Sequence, residues 1–188
     1  LQCKRKKILN MSKTNNIVFW ALYAIAWIIF IGLSIEAGAL VVNFLFSLYK
    51  PEIVQNLYQK LDLIQMYNEN KFAFFSIYSF ILIISILKAV LFYTVISLMH
   101  TMDRTKPFST FVAKKISYIS YFTLSIGLLS FIGREVTKNL MHEGLALNKV
   151  NQFWVDSEAY IFMWAVIHII ATIFKKGVAI QNENDLTV

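Results

Sequence analysis

A single cysteine, Cys3, serves the whole of this 188-residue chain, so neither an intrachain disulfide nor a cysteine-based zinc site can form, and the redox compartment leaves no trace. Two prolines and six glycines are too sparse to break the long apolar runs into the half-helices with which transporters hold substrate. No HExxH, P-loop, dinucleotide fingerprint or GxSxG elbow occurs, and His142-Glu143 lacks the helical spacing that sets two ligands on one face. The polar segments are short, which leaves no room between the apolar runs for a soluble catalytic domain of about 50 residues. Without a convergent acid, base and nucleophile, catalysis is not expected, and no cofactor or metal is implied.

What the chain has in abundance is apolar length. Hydrophobic residues make up 57% of it and its mean hydropathy is +0.58, above the roughly 45–50% apolar content of soluble domains. Four runs stand out: 17–49, broken only by Glu36; 72–99, broken only by Lys88; 116–133; and 159–174. About 20 apolar residues cross the roughly 30 Å hydrocarbon core of a bilayer as a helix. The runs therefore predict an all-α polytopic membrane protein, four transmembrane helices in a bundle with short amphipathic helical segments in the outer loops. Residues 1–16 form a basic terminus, 17–176 the membrane domain and 177–188 a tail. Ala37-Gly38-Ala39 resembles a signal cleavage site, but the run around it is longer than the roughly 7–15 residues of a secretory core, so an uncleaved helix is expected. Met11-Ser12-Lys13 has the form of a natural start, which leaves residues 1–10 open to reading as an upstream extension.

The formal charge of +7 comes from Lys and Arg at the ends of apolar runs, a pattern of membrane topology and not of direct nucleic-acid binding. Placing both termini in the cytoplasm puts eleven basic residues inside and six outside, and without residues 1–10 the balance falls to seven against six. The expected location is the cytoplasmic (inner) membrane, with the bilayer itself as the first partner. Lys4, Arg5, Lys6 and Lys7 would favour anionic head groups by about 1 kcal/mol each.

The first outer segment begins at Pro51 and repeats Ile53, Leu57, Leu61 and Ile64 at helical spacing, which predicts a short amphipathic helix lying on the bundle or the lipid interface, or closing over a ligand. The second, 134–158, carries Leu140, Met141, Leu145, Leu147, Val150, Phe153, Trp154 and Val155, which require burial against the bundle top or in the interface. Between the second and third spans, Lys106-Pro107-Phe108-Ser109 marks a helix start, with Ser109 as N-cap and Phe108 placed to pack back as a staple. Ser34 and Gly38 form a small-xxx-small pair that permits close helix approach, and Gly127 offers the same in the third span.

Three polar side chains sit within the spans. Glu36 and Lys88 fall near the same depth, where an ionisable group must be paired, hydrated or able to reach a surface, so an intramembrane pair and a snorkelling Lys88 both stay open. His168 has Trp164 one turn before it and Thr172 one turn after, a polar spot best explained by a hydrogen bond to another helix and less well by a metal or haem.

The chain ends Phe174-Lys175-Lys176-Gly177, then Asn182-Glu183-Asn184-Asp185-Leu186-Thr187 and Val188. This ending, the Phe108-Ser109 turn and the four-span layout from about Met11 onward resemble the domain-of-unknown-function family numbered 2975, small prokaryotic membrane proteins; the short Gln181-Asn182 approach departs from its usual pattern. That family has no established enzyme activity, and its members are often encoded beside a small helix-turn-helix regulator. The resemblance implies a non-catalytic protein that binds or sequesters such a regulator, with Phe108, Ser109, Glu183, Asn184, Asp185, Leu186 and Thr187 as the partner-binding residues. Glu183 and Asp185 supply negative charge and Leu186 an apolar anchor suited to a basic partner. A small-molecule or lipid carrier using Glu36, Lys88 and His168, and a structural subunit of a larger complex, are the alternatives.

Overall fold

Every apolar run folds as a helix that extends past the run itself. A computed structural model describes residues 2–49, 63–102, 108–144, 147–154 and 156–186. It contains α1 (Gln2–Tyr49), α2 (Ile64–Glu69), α3 (Lys71–Thr101), α4 (Thr110–His142), a 3-10 turn (Asn148–Phe153) and α5 (Ser157–Leu186), with no strand among the described residues. Four of these helices are long and apolar enough to cross a membrane, so the all-α four-helix membrane bundle is borne out. With 48 residues, α1 is about 72 Å long and exceeds the roughly 40–45 Å of a whole bilayer.

Local chemistry sets the helix ends. Asn70 accepts from the Ala73 N–H at 3.0 Å and starts α3, and Ser109 accepts from the Val112 N–H at 3.2 Å and starts α4, the N-cap role expected of it. Gly144 follows α4 with φ +99°, a left-handed conformation that suits glycine. The first outer helix expected from Pro51 falls on 50–62, outside the described residues, and α2 begins where that stripe ends, at Ile64. Helix α5 passes through Gly177 and meets no proline, so the polar tail continues the helix through Leu186 and is not a separate segment there.

The long helices pack as a row, α1 on α3, α3 on α4 and α4 on α5, and α1 and α5 do not close on each other. Within the most apolar 18 residues of each span, 6% are buried in the first and 11% in the last, against 28% in α3 and 44% in α4, which makes α3 and α4 the centre. The main core gathers towards the end carrying α2 and the 3-10 turn, here the capped end. Phe44 stacks on Tyr78 at 5.5 Å, Tyr67 meets Phe74 edge-on at 5.2 Å, and the Tyr78 hydroxyl donates to the Leu40 carbonyl at 3.1 Å. Leu147, Val150 and Trp154 are fully buried there, with Leu140, Met141 and Phe153 packed around them. The apolar segment after α4 thus finds its burial against the capped end of the bundle; Leu145 and Val155 lie outside the described residues.

Helices surrounded by lipid gain little hydrophobic force from meeting, so close fit decides which faces touch. A Cβ on Gly127 would stand 2.8 Å from Ile161 Cγ1 and 3.1 Å from the Ile161 nitrogen, so α5 crosses almost on the backbone of α4. Ser117 and Thr123 line the same helix and donate to its own Ala113 and Ile119 carbonyls, leaving little polarity. The pair Ser34 and Gly38 does not act as expected. The Ser34 hydroxyl bonds the Phe30 carbonyl at 2.7 Å, and nothing lies within 4 Å of a Cβ position at Gly38.

Candidate functional site

The end opposite the cap, here the open end, brings two predicted elements together. Phe108 precedes the Ser109 cap, and its ring crosses to α5, where it lies 5.2 Å from Phe174. A Cβ on Gly177 would come 2.6 Å from the Phe108 ring, so only glycine gives that ring its seat. The staple expected within α4 is therefore a contact between helices. Below it, α5 runs nine residues beyond Gly177 to Leu186, about 14 Å of helix. Ile180, 59% exposed, and Glu183 stand on this extension. Asn184, Asp185 and Leu186 belong to it by backbone, with side chains outside the description, and Thr187 lies outside the described residues, as do Lys106 and Pro107. Lys114 lies over Tyr118 at 5.8 Å and Lys115 over Phe111 at 5.4 Å, so both ammonium groups stay beside α4.

The membrane polar residues separate. No ion pair joins Glu36 to Lys88; the Lys88 ammonium sits 5.7 Å from the centre of the Tyr160 ring. His168 Nδ1 is 3.4 Å from Ser120 Oγ on α4, its ring lies 5.8 Å from Trp164, and the Thr172 hydroxyl donates to its carbonyl at 2.9 Å. The Trp164 Nε1–H nearby is buried with no acceptor among the described residues. Ser120 escaped the sequence reading although it shares the three- and four-residue spacing of Ser117, Thr123 and Gly127. Among the described residues no three of His, Cys, Asp and Glu come together as a metal site.

At the capped end an unforeseen latch joins α4 to α5. Arg134 Nη1 meets Glu158 at 2.5 Å while its guanidinium covers Phe131, and Lys138 holds Glu135 at 2.8 Å. Glu135, Lys138 and Glu158 are 46–64% exposed and Arg134 24%, so these pairs fix geometry more than they stabilise it. A groove of about 370 Å³ runs along α3 between Phe72 and Ile83, with only the Ser76 and Ser79 hydroxyls for chemistry.

Four apolar helices, a packed cap and a helical extension past the open end define a multi-pass membrane protein. Residues 58–188, from before α2 to the end of the chain, match the family described as protein of unknown function, DUF2975. The chain belongs to that family, and the matched stretch takes in α3, α4, α5 and the cap but not α1. No curated protein and no solved structure matches it.

Proposed function

We propose that this protein is a non-catalytic partner of the cytoplasmic membrane that holds a small helix-turn-helix regulator at its open end, keeping it from DNA. One observation carries the reading: Phe108, seated between Phe174 and Gly177, joins the turn to the α5 extension, so the two elements form one continuous surface. The excess of basic residues flanking that end supports placing it in the cytoplasm. Exposed Ile180 offers an apolar anchor, and Glu183 and Asp185 offer charge opposite to that of a DNA-binding helix.

The test is capture of the helix-turn-helix protein encoded beside this gene by the full-length chain in mild detergent. Binding is expected to the intact chain and to be lost when residues 178–188 are removed. Equal binding without them, no binding to the intact chain, or a neighbourhood with no such gene contradicts the reading.

A further inference from the structure

Helix α1 carries two parallel seams at alternating four- and three-residue steps. The first, Ala26, Phe30, Leu33, Ala37, Leu40 and Phe44, is the one that meets α3, through the contacts of Phe30 with Tyr93 and of Phe44 with Phe75 and Tyr78. The second is offset by one residue and holds Ile29, Gly32, Glu36, Ala39 and Asn43. It is unfilled. Nothing lies within 4 Å of a Cβ position at Gly32, and no hydrogen bond or ion pair of Glu36 or Asn43 exists among the described residues. An apolar lipid tail answers neither a carboxylate nor an amide, so such a face calls for a polar partner.

The required partner group is already present in the chain. Lys88 is half-buried within α3 with its ammonium near the Tyr160 ring, and no ion pair reaches it among the described residues. The contacts of Phe30 with Tyr93 and Phe44 with Phe75 and Tyr78 set the register of the two antiparallel helices and place Glu36 level with the turn around Ile86. Lys88 is two residues from that level, about 3 Å in depth. A two-fold axis along the membrane normal leaves every atom at its own depth, so only groups at matching depth can pair across it, and each such pair occurs twice. Glu36 and Lys88 meet that condition. The row leaves room as well, because α1 packs closely on α3 alone among the long helices.

We propose that a second copy of this chain docks on the free seam of α1, with Glu36 of each copy paired to Lys88 of the other. Gly32 and Ala39 let the backbones approach, and the two reciprocal ion pairs select the like chain over lipid.

The experiment uses two differently tagged full-length copies expressed together, one captured in mild detergent and the other quantified. Wild type captures wild type, and Glu36→Lys or Lys88→Glu alone lowers self-capture at least about tenfold by setting like charges together. Coexpressing the Glu36→Lys chain with the Lys88→Glu chain restores both reciprocal pairs and returns capture to within about twofold of wild type. An in-chain pair cannot be restored that way, since each single variant would stay mismatched within itself. Glu36→Gln, which keeps the side chain's size, covers poor folding of the charge swaps and lowers capture at least about threefold. No self-capture by wild type, unchanged capture in Glu36→Gln, or failure of the mixed pair to recover while the double swap in one chain does so, overturns the proposal.

Discussion

Replacing Trp154 by Ala should loosen the cap more than any other single truncation there. Trp154 is fully buried, its ring fills the space over Gly133, and its indole N–H donates to the Thr137 hydroxyl at 3.0 Å. Removing a buried aromatic ring of this kind costs about 3–5 kcal/mol, of which the hydrogen bond accounts for about 1 kcal/mol. In a chain of this size each kcal/mol moves the melting temperature by roughly 2–4 °C, so Trp154→Ala lowers it by about 6–20 °C. Thr137→Val keeps the packing and strands the buried indole donor, costing about 1–3 kcal/mol. The double variant should cost less than the sum of the two, because both lose the same bond. Thermal unfolding in mild detergent, followed by far-ultraviolet circular dichroism, measures all three. A Trp154→Ala protein that melts within about 1 °C of wild type would refute the packed cap, since so small a shift corresponds to well under 1 kcal/mol.

Gly127→Leu pushes α5 away from α4, because even a Cβ there would stand 3.1 Å from the Ile161 backbone nitrogen; a loss of about 1–3 kcal/mol is expected in the same assay, and unchanged melting would contradict the close crossing. Ser109→Ala removes the cap on the Val112 N–H and costs about 1 kcal/mol, whereas Ser109→Asp retains it. Gly177→Ala unseats the Phe108 ring, so Phe108 and Phe174 should exchange their fixed contact for mobile side chains, visible as loss of their mutual nuclear Overhauser contacts. Glu158→Gln breaks the exposed latch to Arg134 and should shift melting less than Trp154→Ala does; a larger shift would make the latch, not the core, the main tie between α4 and α5.

The four spans are readable because a bilayer imposes a single requirement on length and polarity, which the runs around Glu36 and Lys88 satisfy despite those interruptions. The neighbours are not readable in the same way. Ser34 and Gly38 have the spacing that permits close approach, yet spacing describes one face and not what stands opposite it. Gly127 has both, and the hydroxyls that share its side of α4 could have been read with it. Composition alone made 177–188 a tail, whereas helix propagation needs only the absence of a breaker, and Gln181 to Leu186 contain none. The latch between Arg134 and Glu158 spans 24 positions across a loop, and no local pattern marks such a pair. At the open end Ser109 follows from a capping rule, but the seat of Phe108 on Gly177 depends on how α4 and α5 cross.

Labelling of single cysteines with a membrane-impermeant maleimide, in full-length protein with Cys3 replaced by serine, tests the membrane layout most directly. Gln152→Cys on the cap and Glu183→Cys on the α5 extension are both exposed positions. In intact cells Gln152→Cys should react and Glu183→Cys should not, and Glu183→Cys should react once the membrane is opened. Reaction of both in intact cells, or of Glu183→Cys alone, would contradict a bundle that turns its cap outward and its open end to the cytoplasm.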